Sequence, residues 1–120
     1  ETESYEAESF LQSSLHYTSS CADNGDYLPV QDLVFSCYME ERCDNEEEAC
    51  AVLNETLKGM LEESWQVGED FPVKGYKLEI FSEKEAILSL EEGNVTGSYK
   101  GAQQILPKGI QVRVLFNLYY

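Results

Sequence analysis

The four cysteines of this chain lie close together in its first half, at Cys21, Cys37, Cys43 and Cys50. Three of them fall within residues 30–65, whose apolar pattern predicts two helices joined by a short turn. If that turn lies near residues 43–44, Cys37 and Cys50 face each other across the hairpin. Cys43 is then left for Cys21, and we favour this pairing of two disulfides.

Spacing alone does not select a pairing, because four cysteines allow three connectivities. Four free, buried thiols are the alternative. A zinc site is disfavoured, because the sequence contains no C-x2-C pair and glutamates surround the thiols. Disulfides form in oxidising compartments. We therefore expect an extracellular or cell-envelope location.

Two apolar stripes define the helices of the hairpin. The first helix is predicted to open at Pro29, since proline fits the first turn of a helix. The second is predicted to start at Asp44 as N-cap, with Glu47 three residues later. Its first turn would hold Glu46–Glu48, which the helix dipole favours, and it would end near Trp65. The stripes are Val30, Leu33, Val34 and Cys37 in the first helix and Cys50, Leu53, Leu57, Met60 and Leu61 in the second.

An amphipathic helix is predicted before the hairpin, over residues 3–18. Its apolar face consists of Ala7, Phe10, Leu11, Ser14 and Leu15. The following segment, Thr18–Asp26, is small and polar and is predicted to be a loop with a turn at Asn24–Gly25. His16, the only histidine, lies near the helix end, which favours a surface residue over a general base.

Alternating residues predict strands in the last third of the chain. Tyr76–Ile80 and Ala86–Leu90 are predicted strands, and Val95–Lys100 is predicted to be a short third one. Gln103–Gly109 is predicted to be a loop. The final strand, from Ile110, has the clearest alternation. Leu115 and Tyr119 lie on its second face and are candidate contact residues.

These elements predict one α+β domain spanning residues 1–120. An N-terminal amphipathic helix and a disulfide-linked helical hairpin would pack on one face of a three- or four-stranded antiparallel sheet. The N-terminal helix and loop take residues 1–27, the hairpin residues 28–68 and the antiparallel meander residues 73–120.

The acidic side chains are concentrated in the first part of the chain. The net charge is −15. Residues 1–70 carry 18 acids and two bases, whereas residues 71–120 carry five acids and six bases. Nucleic acid and anionic lipid are improbable partners, because both require clustered Lys and Arg. The acidic surface favours solubility, or docking of a cationic partner.

No stretch reaches the roughly 18 apolar residues of a membrane span, and the first residues do not have the pattern of a signal peptide. We therefore expect any membrane contact to require an anchor outside this sequence, and any export signal to precede Glu1.

Two glycosylation sequons are present, at Asn54 and Asn94. The sequence contains no G-x-S-x-G, no HExxH and no phosphate-binding glycine loop. The run Asp44–Glu48 lacks the spaced ligands and the glycine of a calcium loop. We therefore predict no catalytic residues, no metal site and no cofactor.

Several short strings together resemble a known family. They are Asp32–Val34, the cysteines, Ala51–Leu57 and Tyr76–Ile80. Over roughly residues 28–118 the chain resembles the soluble domains of small archaeal envelope proteins that carry an N-terminal pilin-like, class III signal-peptide helix. The resemblance implies a cell-surface subunit that assembles with sister subunits or is held in the membrane by a preceding helix. It implies no catalytic residues.

These observations predict a non-enzymatic extracellular or cell-envelope domain, a pilin-like assembly or adhesion subunit. The alternative is a secreted ligand-binding or receptor-type recognition module that uses an exposed face of the sheet. An acidic-residue hydrolase is the third possibility. The expected partners are proteins, either sister subunits or a surface receptor.

Overall fold

The computed structural model describes residues 2–120, with residues 2 and 3 described by their backbone alone. These residues form an α+β fold in which helices pack on one face of a sheet. The elements are β1 (Thr2–Glu3), α1 (Tyr5–Leu15), β2 (Thr18–Asp23), β3 (Asp26–Pro29), α2 (Val30–Tyr38), α3 (Ala49–Ser64), β4 (Gly75–Ser82), β5 (Ala86–Gly93), β6 (Tyr99–Lys108) and β7 (Ile110–Tyr119).

The first helix, α1, is shorter than the predicted span of residues 3–18. Ser4 is its N-cap, and the Ser4 hydroxyl accepts a 3.2 Å hydrogen bond from the backbone N–H of Ala7. The buried residues of α1 are Ala7, Phe10, Leu11, Ser14 and Leu15. This face therefore lies on the core.

Both disulfides have the predicted pairing, Cys21–Cys43 and Cys37–Cys50. The helices that Cys37–Cys50 links are not joined by a short turn, however. Helix α2 ends at Tyr38 and α3 begins at Ala49, so residues 39–48 connect them.

The predicted start of α3 at Asp44 is wrong. Its N-cap is Glu48, and its first turn holds no acid. The Asp44 carboxylate instead accepts hydrogen bonds from the backbone N–H groups of Asn24 and Gly25, at 3.1 and 2.8 Å. A contact between segments distant in sequence has therefore replaced the local cap.

The predicted loop Thr18–Asp26 is also wrong, because its residues form most of an antiparallel hairpin. Strands β2 and β3 pair through Asp23 and Asp26. The predicted turn at Asn24–Gly25 is confirmed. Both residues have positive φ, 54° and 88°, as a tight two-residue hairpin turn requires. The Cys21–Cys43 disulfide ties this hairpin to the α2–α3 connection.

The five-stranded sheet has the order β1-β6-β7-β4-β5. Its four long strands are antiparallel, as predicted, but they do not form a meander. Strand β7 lies between β6 and β4, so β5 and β6 are not neighbours. Residues 94–98 cross the end of the sheet to connect them. The short strand β1 is parallel to β6.

Two strand boundaries differ from the predictions. The third strand begins at Tyr99, after the predicted start at Val95. It continues to Lys108 and so includes most of the predicted loop Gln103–Gly109. Pro107 is tolerated there because β6 is close to the sheet edge. The position of its missing N–H faces away from β7, so no hydrogen bond of the ladder is lost.

The core lies between the sheet and the helices. Three aromatic rings meet in it, because Phe116 of β7 lies 5.0 Å from Phe10 of α1 and 5.3 Å from Trp65, the C-cap of α3, between ring centroids. The buried strand residues facing the helices are Tyr76, Leu78, Ile80, Leu106, Val112, Val114, Phe116 and Leu118. Among residues 2–120 we find no helix of the length and apolarity needed to cross a bilayer.

Candidate contact surfaces

The sheet face turned away from the helices is not covered by another described element. We call it the outer face. In β4, β6 and β7 it is formed by the residues that alternate with the core positions. Its members with side chains are Lys77, Glu79, Phe81, Tyr99, Gln103, Ile105, Pro107, Gln111, Arg113, Leu115, Asn117 and Tyr119, together with Ser89 and Glu91 of β5.

Apolar side chains flank a single arginine in the middle of the outer face. Arg113 pairs in register with Phe81 on one side and Ile105 on the other. Within the described residues no carboxylate lies in ion-pair range of Arg113. A depression of about 240 Å³ lies beside these three residues. Ile105 is 39% exposed, so the surface combines an accessible apolar patch with an available cation.

The two predicted contact residues have different surroundings. Leu115 is half-buried on the outer face, next in line to Arg113 along β7. Tyr119 lies on the same face but is only 7% exposed, and its ring packs 5.9 Å from that of Tyr99. Little of Tyr119 therefore remains for a partner.

Sequence reasoning missed Phe81 and Ile105. The alternation of β4 was visible to Ile80, and one more residue of the same pattern would have included Phe81. Ile105 fell in a predicted loop, because Pro107 and Gly109 follow it. Its position opposite Arg113 depends on the pairing of β6 with β7, which no local pattern reports.

A groove separates α2 from the β6–β7 turn. Its volume is about 550 Å³, and Phe35, Met39 and Ile110 contribute apolar side chains to it. The Lys108 ammonium lies 3.3 Å from the Asp32 carboxylate and 5.8 Å from the centre of the Phe35 ring. Met39 is 64% exposed at the groove mouth. The groove therefore offers apolar contacts next to charged groups.

The remaining predicted site residues lie apart from both surfaces. Asn94 is exposed directly after β5, whereas Asn54 is half-buried on α3. His16 is exposed, with Nδ1 2.9 Å from the carbonyl oxygen of Gln12.

The acidic run Asp44–Glu48 makes its contacts within the protein. Arg42 donates a 2.7 Å hydrogen bond to the carbonyl oxygen of Glu46 and forms an ion pair with Glu48 at 3.3 Å. Asn45 donates to the Glu47 carboxylate. In the described chain no three His, Cys, Asp or Glu residues are grouped as metal ligands.

Comparison with known proteins returns no relative: no protein-family model, no curated protein and no solved structure matches the chain. The chemistry of its own surfaces is therefore the basis for a functional assignment. The two disulfides are typical of proteins in oxidising, extracellular-type environments.

Proposed function

We propose that this protein is a non-enzymatic subunit of the cell envelope or extracellular space that assembles with sister copies through its outer face. The observation that carries the proposal is the apolar patch of Phe81, Ile105 and Leu115 around Arg113. Accessible apolar groups beside an available arginine are typical of protein contact surfaces.

The charge distribution supports a second copy as the partner. Residues 1–70 hold most of the acids, and two copies brought together through that region would repel each other. The net charge of the outer face is close to zero, because its bases Lys77 and Arg113 are matched by the acids Glu79 and Glu91. A twofold contact whose axis passes between Arg113 and Glu79 would place Arg113 near the partner's Glu79, which pairs with Lys77 of its own copy at 3.7 Å, so the face can complement itself.

The proposed location rests on several weaker features together. Two disulfides stabilise the helical side of the fold. The sequon at Asn94 is exposed and accessible to a glycosylation enzyme. The resemblance to archaeal pilin-like envelope proteins also favours a surface subunit. We propose that the whole protein is exported and that contact between subunits is its function.

Sedimentation equilibrium over a range of concentrations tests the assembly. The average mass of the wild-type protein should rise with concentration, and Ile105→Glu should lower the mass reached at each concentration. The new carboxylate would face Arg113 across the strands, so the fold is retained while the apolar patch is lost. Val95→Glu is the matched control, because Val95 is 60% exposed but lies outside the outer face. A mass that stays monomeric at all concentrations would overturn the proposal.

A secreted recognition module is the second candidate function. The groove between α2 and the β6–β7 turn supports it, since Phe35, Met39 and Lys108 offer apolar and charged contacts in one place. A pull-down from the native extracellular medium distinguishes the two functions. Recovery of a soluble partner that Met39→Glu abolishes favours the recognition module, whereas recovery of the same chain favours assembly.

A further inference from the structure

The two edges of the five-stranded sheet differ in how they are protected. Strand β1 pairs with part of the β6 edge, and the Ser4 N–H donates a 3.1 Å hydrogen bond to the carbonyl oxygen of Gly101. Backbone groups alternate between the two sides of a strand, so Pro107 also faces outwards, where it offers no N–H. The β6 edge is therefore partly paired and partly blocked.

The β5 edge has neither protection. Asn94 N–H donates to the carbonyl oxygen of Lys74 at one end of the β4–β5 ladder, and Ser82 N–H donates to Glu85 at the other. Hydrogen-bonded and non-hydrogen-bonded residue pairs alternate along an antiparallel ladder. Counting from these two bonds, Leu88 and Leu90 are the β5 residues whose backbone groups bond to β4. Ser89 and Glu91 then direct their N–H and C=O groups away from the sheet, where the described chain supplies no strand.

Side chains at this edge leave part of the core exposed. Leu88 and Leu90 pair with the buried Ile80 and Leu78 and pack against the core, yet both remain half-exposed. The irregularity in β5 is confined to its start, before Leu88. The segment from Leu88 to Leu90 is regular, so it can accept another strand over these three residues.

We propose that β5 pairs with β5 of a second copy in antiparallel orientation, with the twofold axis at Ser89. One continuous sheet would then cross both copies. Leu88 would lie opposite the partner's Leu90, and the two leucine pairs would close the exposed end of each core. This inference rests on the proposed function, and it names a second contact between the same subunits.

The acids of β5 favour this register over one with the axis at Leu90. With the axis at Ser89, Glu91 and the partner's Glu91 lie about 14 Å apart along the strands, from a rise of about 3.4 Å per residue. With the axis at Leu90 they would be about 7 Å apart, and Leu88 would face the partner's Glu92. Like charges close together and a leucine opposite a carboxylate both disfavour that register.

The effect of added salt on the affinity distinguishes a second copy from a basic peptide as the partner. Each copy carries a net charge of −15, so added salt should strengthen pairing between copies by screening their repulsion. An extended basic peptide would compete for the same edge, and salt would weaken its binding. Association that weakens as sodium chloride is raised would overturn pairing between copies.

Ser89→Pro tests the edge directly. Proline removes the outward N–H of Ser89, which is unpaired in the monomer, and an edge strand tolerates proline at such a position. The symmetric Ser89 pair would lose both of its hydrogen bonds, so edge pairing should weaken by about tenfold or more. Ser89→Ala keeps the N–H and is the matched control. A circular-dichroism melt establishes that each variant is folded.

Ser89→Lys provides an independent variant should the proline variant fail to fold. Ser89 is exposed, so the monomer should tolerate lysine, but two lysines would meet at the twofold axis. Ser13→Lys places the same charge on the exposed side of α1, away from both proposed contacts. The edge proposal expects Ser89→Lys to weaken pairing more than Ser13→Lys does. Equal effects would overturn it.

Amide hydrogen exchange separates this inference from the proposed function. Edge pairing should protect the amide of Ser89 as concentration rises, in the wild type and in Ile105→Glu alike. The copies could instead associate without protecting this amide, with the association lost in Ile105→Glu and kept in Ser89→Pro. That result would overturn edge pairing and support the outer-face contact alone. Edge protection with no effect of Ile105→Glu would overturn the outer-face contact instead.

Discussion

The Asp44 carboxylate lies 2.8 Å from the backbone nitrogen of Gly25. Its other oxygen lies 3.1 Å from the nitrogen of Asn24, and the Asp44 N–H donates to the carbonyl oxygen of Ala22. One residue of the α2–α3 connection therefore holds the tip of the β2–β3 hairpin. The neighbouring Cys21–Cys43 disulfide fixes the same two segments.

Replacing Asp44 should loosen this attachment. Asp44→Ala removes two hydrogen bonds to a charged acceptor, but the site is exposed, so we expect a loss of about 1 kcal/mol in the free energy of unfolding. Asp26→Ala is the control, since Asp26 is an exposed acid at the same turn. Urea unfolding of both variants measures the difference. Equal stabilities would show that the Asp44 contacts contribute nothing.

The sequence predicted those elements whose periodicity is local. The stripe that starts at Val30 correctly located α2, and the alternation from Ile110 correctly located β7. The start of α3 was missed, because Asp44 has the local signature of an N-cap but its carboxylate is used by the hairpin. Strand β2 was missed because its residues are small and mostly polar, and β3 because it has only four residues. Only the Asn24–Gly25 turn gave a signal.

The candidate surfaces were less predictable than the helices. Leu115 was identified from the alternation of β7, but its neighbours on the outer face depend on which strands pair. The free edge of β5 is a consequence of strand order, because β7 rather than β6 lies next to β4. Strand order is a property of the whole fold, and the pattern within each strand is compatible with a meander.

Each disulfide should contribute a similar amount to stability. The bridges join residues 22 and 13 positions apart, and the chain-entropy model gives about 3 kcal/mol for loops of this size. Cys21→Ser with Cys43→Ser and Cys37→Ser with Cys50→Ser should therefore each lose about that amount in urea unfolding. A peptide map of unreduced protein provides the control, and any link between Cys21 and Cys37 or Cys50 would contradict the pairing.

Alkaline pH should destabilise the protein partly through Tyr76. Burial, and then the carboxylates of Glu92 and Glu62, raise the pKa of this tyrosine above its ordinary value. The folded state therefore holds the proton more tightly than the unfolded chain does. The resulting stability is complete below about pH 10, the ordinary tyrosine pKa, and is lost as the pH rises through the folded pKa.

Unfolding measured from pH 8 to pH 12 checks the role of Tyr76. Tyr76→Phe should reduce the alkaline loss of stability, because the titrating hydroxyl is gone. Tyr27→Phe, at an exposed tyrosine, is the control and should follow the wild-type curve. Tyr120 contributes in the same direction, since burial and then Glu6 raise its pKa, so part of the alkaline loss should persist in Tyr76→Phe. Parallel curves for Tyr76→Phe and wild type would contradict the prediction.

A side chain at Gly75 should disrupt the point where the link over residues 94–98 leaves β5. A Cβ there would lie 2.6 Å from the backbone nitrogen of Asn94 and 2.8 Å from the carbonyl oxygen of Glu92. Backbone atoms at both contacts cannot rotate away, so Gly75→Ala should cost about 1–3 kcal/mol in thermal or urea unfolding. Gly97→Ala is the matched control, because a Cβ at Gly97 meets no described atom within 4 Å. Equal stability of the two variants would mean that the link does not approach β4 as closely as the fold requires.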